Sequence, residues 1–336
     1  MKKFLQLFAV LIMVMLLSVA CSDDSQKEGP TPKDAEQSQS EQEANGQEPS
    51  DEYTPGFPVT FTDALGTEIT LDAKPEKIVS LIPSNTEIAY ALGAGEQVIG
   101  VSDFDNYPEE VMEKEKIGAM EINLEKIISL QPDLVLAHAS TADSTSEGLQ
   151  QLRDAGAHVV IVNNATSFED VYTSIEMIGI ATGYSEKASE IVNSMKQEVA
   201  LIKEKATSIT AENRKKVFVE VGAEPEIYTT GTGTFMHEML EAIGAENVAA
   251  DVAGWQPMTE EAIIEKNPDV VVITYGYYTP DAVETVLSRD GWEQVTAITN
   301  KHVVDVHSDL VTRSGPRLIE GVKALAKAVY PDVYGE

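Results

Sequence analysis

One stretch of this chain occurs twice, and that repetition limits its folds more than any other feature. Leu124–Ala137 (LEKIISLQPDLVLA) and Glu260–Ile273 (EEAIIEKNPDVVVI) align at an offset of 136, with six of 14 positions identical. The shared residues are Glu125/Glu261, Ile127/Ile263, Ile128/Ile264, Pro132/Pro268, Asp133/Asp269 and Val135/Val271. Upstream, Thr86–Ala94 (TEIAYALGA) aligns with His237–Ala245 (HEMLEAIGA) at an offset of 151, sharing Glu87/Glu238 and an Ala-x-Gly-Ala frame. A period this long is not that of a solenoid. It fits one lobe used twice. Each long copy runs from a helical pattern through Pro-Asp into an apolar strand, and short apolar strands alternating with helices indicate α/β units on a mostly parallel sheet.

Local signals fill in the rest. Val59–Phe61 and Ile69–Leu71 flank Asp63-Ala64-Leu65-Gly66, a hairpin pattern. Ile78–Ile82 is an apolar run stopped by Pro83, and Ser84-Asn85-Thr86-Glu87 reads as a capping box opening a helix that ends at Gly93 or Gly95. Between the two copies, Ala188, Ile191, Val192, Met195, Val199, Ile202 and Ala206 recur at spacings of three and four. That predicts one amphipathic helix from Ser185, its expected N-cap, spanning about 35 Å. A dimerising coiled coil is the alternative. A short stripe between two matching lobes favours an intramolecular bridge and a monomer.

The N-terminus is a different material. Lys2 and Lys3 precede an apolar run from Phe4 to Val19, too short for a comfortable membrane span and suited to a secretory leader. It ends in Leu17-Ser18-Val19-Ala20-Cys21, followed by Ser-Asp-Asp, which resembles a bacterial lipoprotein signal. The resemblance implies lipidation of Cys21 after removal of residues 1–20; a plain cleaved leader is the alternative. Cys21 is the only cysteine, so no intrachain disulfide or CxxC site exists. Residues 21–57 hold 10 acidic and 2 basic residues and almost no aromatics, a composition that reads as a disordered acidic tether. The body is then expected as a lobe over 58–184, a bridging helix over 185–208 and a lobe over 209–336. The whole chain carries a formal charge of -32, which repels phosphate backbones and makes nucleic acid a poor partner.

Lys77–Ala94 (KIVSLIPSNTEIAYALGA), Val98–Val101 (VIGV), Asn123–Ala137 and Gly254–Ile264 (GWQPMTEEAII), in that order, resemble a known family. It is the solute-binding proteins of ABC importers for iron complexes and cobalamin, the helical-backbone metal receptors. VSDFDNYP (101–108) and GWQPMTEE (254–261) bring the chain nearest the cobalamin-binding members. The resemblance covers about 58–330. It implies two Rossmann-like α/β lobes bridged by a single long helix, and a lipid-anchored receptor on the outer face of a Gram-positive type cell membrane. Its ligand would be a metal chelate, a cobalamin or a ferric siderophore, with no resident cofactor. It would hand that ligand to a permease dimer with its ATPase.

A cleft between α/β lobes forms from loops after the carboxyl ends of strands. Those loops carry Phe104, Met120, His138, Trp255, Tyr275, Tyr277, Tyr278, Asp309 and Arg313. Flat aromatic faces with polar tips suit a large planar ligand. By resemblance, Phe104 and Trp255 match aromatic contacts and Asp309 and Arg313 match polar rim contacts. His138 and Ala119 stand where the cobalamin branch has aromatics. The resemblance also assigns Glu125 and Glu261, one per lobe at the start of a helix, to docking on arginine pockets of the two permease subunits. Favourable placement against the helix dipole is the plainer role for both.

Few bases occur among the cleft loops, which disfavours a trianionic catecholate. Haem is an alternative ligand, with His138, Met120 or the tyrosines as axial candidates. A free manganese or zinc receptor would need several His and carboxylate ligands, of which only His138 is suitably placed. An enzyme has no support: Gly231-Thr232-Gly233 lacks the third glycine of a dinucleotide loop, and no GxxxxGK[ST], HExxH or GxSxG occurs. An adhesive surface lipoprotein would need neither cleft aromatics nor paired glutamates.

Overall fold

The computed structural model describes residues 56–335. The expected leader, Cys21 and the tether up to residue 55 lie outside the described residues. The body opens with an antiparallel hairpin of β1 (Val59–Thr62) and β2 (Glu68–Leu71). Asp63 closes its turn, Oδ1 accepting from the amides of Leu65 and Thr67.

The first lobe contains β3 (Ile78–Ser80), α1 (Pro83–Leu92), β4 (Val98–Val101), β5 (Glu115–Lys116), α2 (Leu124–Leu130), β6 (Leu134–His138), α3 (Ala139–Ala142), α4 (Ser146–Asp154), β7 (His158–Val162) and α5 (Phe168–Thr182). Its sheet runs β5-β4-β3-β6-β7, all parallel. α6 (Ser185–Ala206) follows. The second lobe contains β8 (Lys216–Glu220), β9 (Tyr228–Thr230), α7 (Phe235–Ala242), β10 (Glu246–Asn247), β11 (Trp255–Pro257), α8 (Glu260–Lys266), β12 (Val270–Ile273), α9 (Ala282–Leu287), α10 (Thr296–Thr299), β13 (Val303–Asp305), α11 (Ser308–Thr312), α12 (Leu318–Val329) and α13 (Pro331–Tyr334). Its parallel sheet runs β10-β8-β12-β13, and β9 pairs antiparallel with β11 at its side. In each sheet the chain steps outward from its first strand on one side and then crosses to the other flank, β3 lying between β4 and β6 and β8 between β10 and β12, the doubly wound order.

The repeated residues do the same work in both lobes. Gln131 and Asn267 end α2 and α8 in left-handed conformation, with φ of 51° and 46°. The Pro-Asp that follows turns the chain into the strand. Asp133 Oδ2 accepts from the amides of Glu76 and Lys77, each at 2.9 Å, and Asp269 Oδ2 accepts from the Lys216 amide at 2.8 Å. Each aspartate thus ties the start of its own strand to the neighbouring one. β6 and β12 are buried on both faces, which is why their sequences are unbroken apolar runs rather than alternations.

α6 buries Ala188, Val192, Met195, Val199 and Ile202. That stripe packs on α5 of the first lobe and on α7 and α12 of the second. One apolar cluster runs from Ile88 and Leu134 through Met195 to Leu240 and Leu318. Two helix starts differ from the sequence reading. α6 begins at Ser185 itself, with Tyr184 as N-cap and no side-chain cap. α1 begins at Pro83, also without a side-chain cap, so Ser84–Glu87 is not a capping box. Proline at the first helical position starts α1, and the Glu87 side chain takes its partners outside its own helix. Among the described residues no helix is long and apolar enough to cross a membrane.

Candidate functional site

In a doubly wound sheet the strand carboxyl ends are where loops can diverge and admit a ligand. Here these ends carry a set of exposed aromatics. Phe104 follows β4 and is 53% exposed; Trp255 opens β11 at 42%; Tyr277 and Tyr278 follow β12 at 52% and 58%. Trp255 meets Phe235 edge-on at 6.2 Å between ring centroids. Tyr277 stacks on His307 at 4.3 Å and 17°, with Tyr278 edge-on against it at 4.8 Å. Exposed rings propped by other rings are preorganised apolar faces, since their rotamers are held before any ligand arrives.

The remaining candidates divide. Met120 is on a tip almost wholly in solvent, in the loop before α2 rather than against the aromatics of β12. Tyr275 is buried, contrary to its expected place in the cleft. Its phenol donates to Glu220 Oε1 at 2.5 Å, and burial followed by the charge of Glu220 pushes its pKa up. Glu220, fully buried, takes both Arg289 guanidinium Nη groups at 3.0 Å each, and Arg289 Nε lies 2.8 Å from Glu224. Arg289 also sits over the buried Trp292 ring at 4.6 Å, and Trp292 Nε1 donates to Glu260 at 2.7 Å. This cluster was not read from the sequence. Its one local signal is the acid that closes the apolar strand Val217-Phe218-Val219-Glu220.

His138 ends β6 and is buried. Its Nδ1 accepts from the Ser140 amide at 3.2 Å, so Nε2 carries the proton of the neutral ring. Burial lowers its pKa, which keeps the ring neutral. In the unfolded chain the ring protonates near pH 6.5. Between the two values the unfolded state binds more protons, so stability from this residue is present above about pH 6.5 and lost as pH falls below it. His138→Gln is expected to flatten the dependence of the melting midpoint on pH between about 5 and 7. An unchanged slope would contradict that.

Asp309 and Arg313, expected as rim contacts, are committed to the protein itself. Asp309 is buried and accepts from Asn106 Nδ2 at 2.9 Å. Arg313 pairs with Asp309 at 3.0 Å, donates to Glu87 Oε1 and Asn106 Oδ1 at 2.7 Å each, and approaches the Phe104 carbonyl at 3.4 Å. Arg317 reaches Glu87 at 3.4 Å and lies over the Tyr107 ring at 3.9 Å. The arginines near the strand ends, Arg289, Arg313 and Arg317, are therefore neutralised internally.

Glu125 and Glu261 are exposed in the first turns of α2 and α8, each just after a side-chain-capped start at Asn123 and Thr259. A separate groove of about 650 Å³, lined by Arg214, Lys215, Asp269, His302 and Tyr330, lies at the amino ends of the second lobe's strands. That is the opposite end from the aromatics. Among the described residues no cluster of three or more His, Cys, Asp or Glu is disposed to hold a metal ion.

The model of a family described as periplasmic binding protein matches residues 78–310. An uncharacterised ABC transporter substrate-binding lipoprotein of Bacillus subtilis, YvrC, is 47% identical over 336 residues, covering all of both chains. A cobalamin-binding protein of Halobacterium salinarum is 33% identical over 282 residues, 82% of this chain and 74% of the relative. A crystal structure from Staphylococcus epidermidis, described as a possible iron-binding periplasmic solute-binding protein, superposes with a TM-score of 0.69 at 40% identity. It covers 77% of this chain and all of that one.

Proposed function

The chain belongs to the periplasmic binding protein family, and from that premise we propose that it captures a corrinoid of the cobalamin type between its lobes. It is a substrate-binding protein of an ABC transporter, of the cobalamin, iron-siderophore and haem type. The family transports rather than catalyses. Anchored by a lipid on Cys21, it delivers the ligand to a permease dimer, with Glu125 and Glu261 as docking acids. The acidic tether gives the body its reach from the membrane.

The observation that carries the ligand reading is the pairing of exposed aromatics with spent charges. Phe104, Trp255, Tyr277 and Tyr278 offer flat apolar area, while Arg289, Arg313 and Arg317 already face carboxylates. A polyanionic chelate would need cations that this cleft has committed elsewhere, because stripping a buried carboxylate of its arginine costs about 3–5 kcal/mol. A large, near-neutral, partly planar chelate needs none. The cobalamin-binding relative supports the same choice.

Titration of residues 22–336 with cyanocobalamin, followed by tryptophan fluorescence and calorimetry, tests this. Saturable one-to-one binding is expected, with quenching that Trp255→Phe largely removes, since Trp292 is buried away from solvent. No heat and no quenching would end the corrinoid reading and turn the search to ferric hydroxamates, then to haem.

A further inference from the structure

The repeat carries a second pair of glutamates, Glu87 and Glu238, and both leave their own lobe. Glu87 on α1 of the first lobe is buried, and its Oε1 meets Arg313 and Arg317 of the second. Glu238 on α7 of the second lobe reaches the first, where its Oε2 accepts from the Phe168 amide at 2.7 Å. Phe168 is the first residue of α5, so its N–H has no partner within the helix, and the carboxylate there also meets the positive end of the helix dipole. One repeat position thus makes two crossings in opposite directions.

We infer that Glu87 and Glu238 are a pseudo-symmetric pair of latches that set the angle between the lobes. The Glu87 latch is the larger. Arg313 joins it to Asn106, the Phe104 carbonyl and Asp309, and Arg317 adds Tyr107, so the loop that presents Phe104 to the cleft is held by the opposite lobe. The position is expensive: Glu87 Oε2 is buried without a partner, and burial holds the carboxyl above its usual range against the pull of Arg313. An apolar residue would seal the same junction at lower cost. The bond from Arg313 to Glu87 at 2.7 Å is directional, which an apolar contact is not. α6 and the apolar cluster around it join the lobes; the two latches add directional contacts between α1 and the residues after α11, and between α7 and the start of α5.

This inference is independent of what the cleft binds, and its test needs no ligand. Cys21→Ser leaves no cysteine, so Asp143→Cys and Glu284→Cys give one exposed spin label beyond β6 and one beyond β12. A single narrow interlabel distance is expected in the parent. Glu87→Gln/Glu238→Gln is expected to broaden it and lengthen its mean by more than about 2 Å, the scale of a hinge movement. Amide exchange within each sheet should stay as in the parent, which separates lobe movement from loss of fold. An unchanged distribution in the folded double variant would overturn the inference and assign the angle to the apolar cluster. If the double variant does not refold, Glu238→Gln alone, at a half-buried position, carries the test: broadening supports the latch, an unchanged distribution overturns it.

Discussion

Replacing Glu125 and Glu261 together with alanine is expected to abolish most uptake of the ligand while leaving its Kd within about twofold. Each carboxylate lies in the first turn of a short helix, Glu261 beside Glu260, and among the described residues neither forms a salt bridge. Nothing inside the protein is lost with it beyond a helix-dipole contribution of about 0.3–1 kcal/mol. At an interface the same group counts for more. Truncating one partner of a close charge pair across an interface costs about 2–5 kcal/mol, so a loss of about thirtyfold per lobe follows from the low end. The single variants should each show a partial loss, because in the proposed docking each lobe meets one half of a symmetric partner. Radiolabelled uptake in cells and calorimetry on the purified protein measure the two halves of this prediction. A Kd that weakens in step with uptake would move both residues from docking to the cleft.

Arg289→Met is expected to be among the most destabilising single changes away from the apolar core. It leaves Glu220, with no exposed surface, facing Tyr275 and no cation. Removing one member of a buried pair costs about 3–5 kcal/mol. For a body of this size that is a fall of roughly 10 °C in melting midpoint. Glu220→Gln in the same chain is expected to restore most of the loss, because the orphaned charge is then gone. The effect should reach the cleft as well, since Tyr275 is two positions before Tyr277 and Trp292 joins Arg289 to Glu260 of α8. Urea or thermal denaturation of the two variants decides it. A single variant with the parent midpoint would mean that the ion pair contributes nothing beyond what its burial costs.

Local sequence carried much of the architecture. The repeat predicted two lobes because Pro-Asp turns and doubly buried strands need particular residues at particular places: Asp133 and Asp269 each bond to the start of the neighbouring strand in their own lobe, and Gln131 and Asn267 take the same left-handed turn. The hairpin at Asp63 and the stripe of α6 were legible for the same reason. The helix starts at Pro83 and Ser185 were misread because several residues near each could cap, and the choice between them depends on what else those side chains meet. Glu87 is the instructive case. Its spacing from Ser84 satisfies a capping box, yet its partners are 226 and 230 positions away.

The chemistry of the site divides along the same line. That aromatics and polar residues gather on loops after strands follows from their order along the chain, and so did Phe104, Trp255 and Tyr277. Which of them face solvent did not: Tyr275 and Tyr277 differ by two positions, and one is core while the other is exposed. Asp309 and Arg313 were identifiable as charged loop residues, but only the tertiary structure pairs them with Glu87 and Asn106. Periodicity, turns and repetition are interactions among residues a few positions apart, so the chain itself determines the lobes and the bridging helix. Whether a charge is spent or free depends on groups that folding brings in from far along the chain, Glu220 of the same lobe for Arg289 and Glu87 of the other lobe for Arg313, and that is decided only by the tertiary structure.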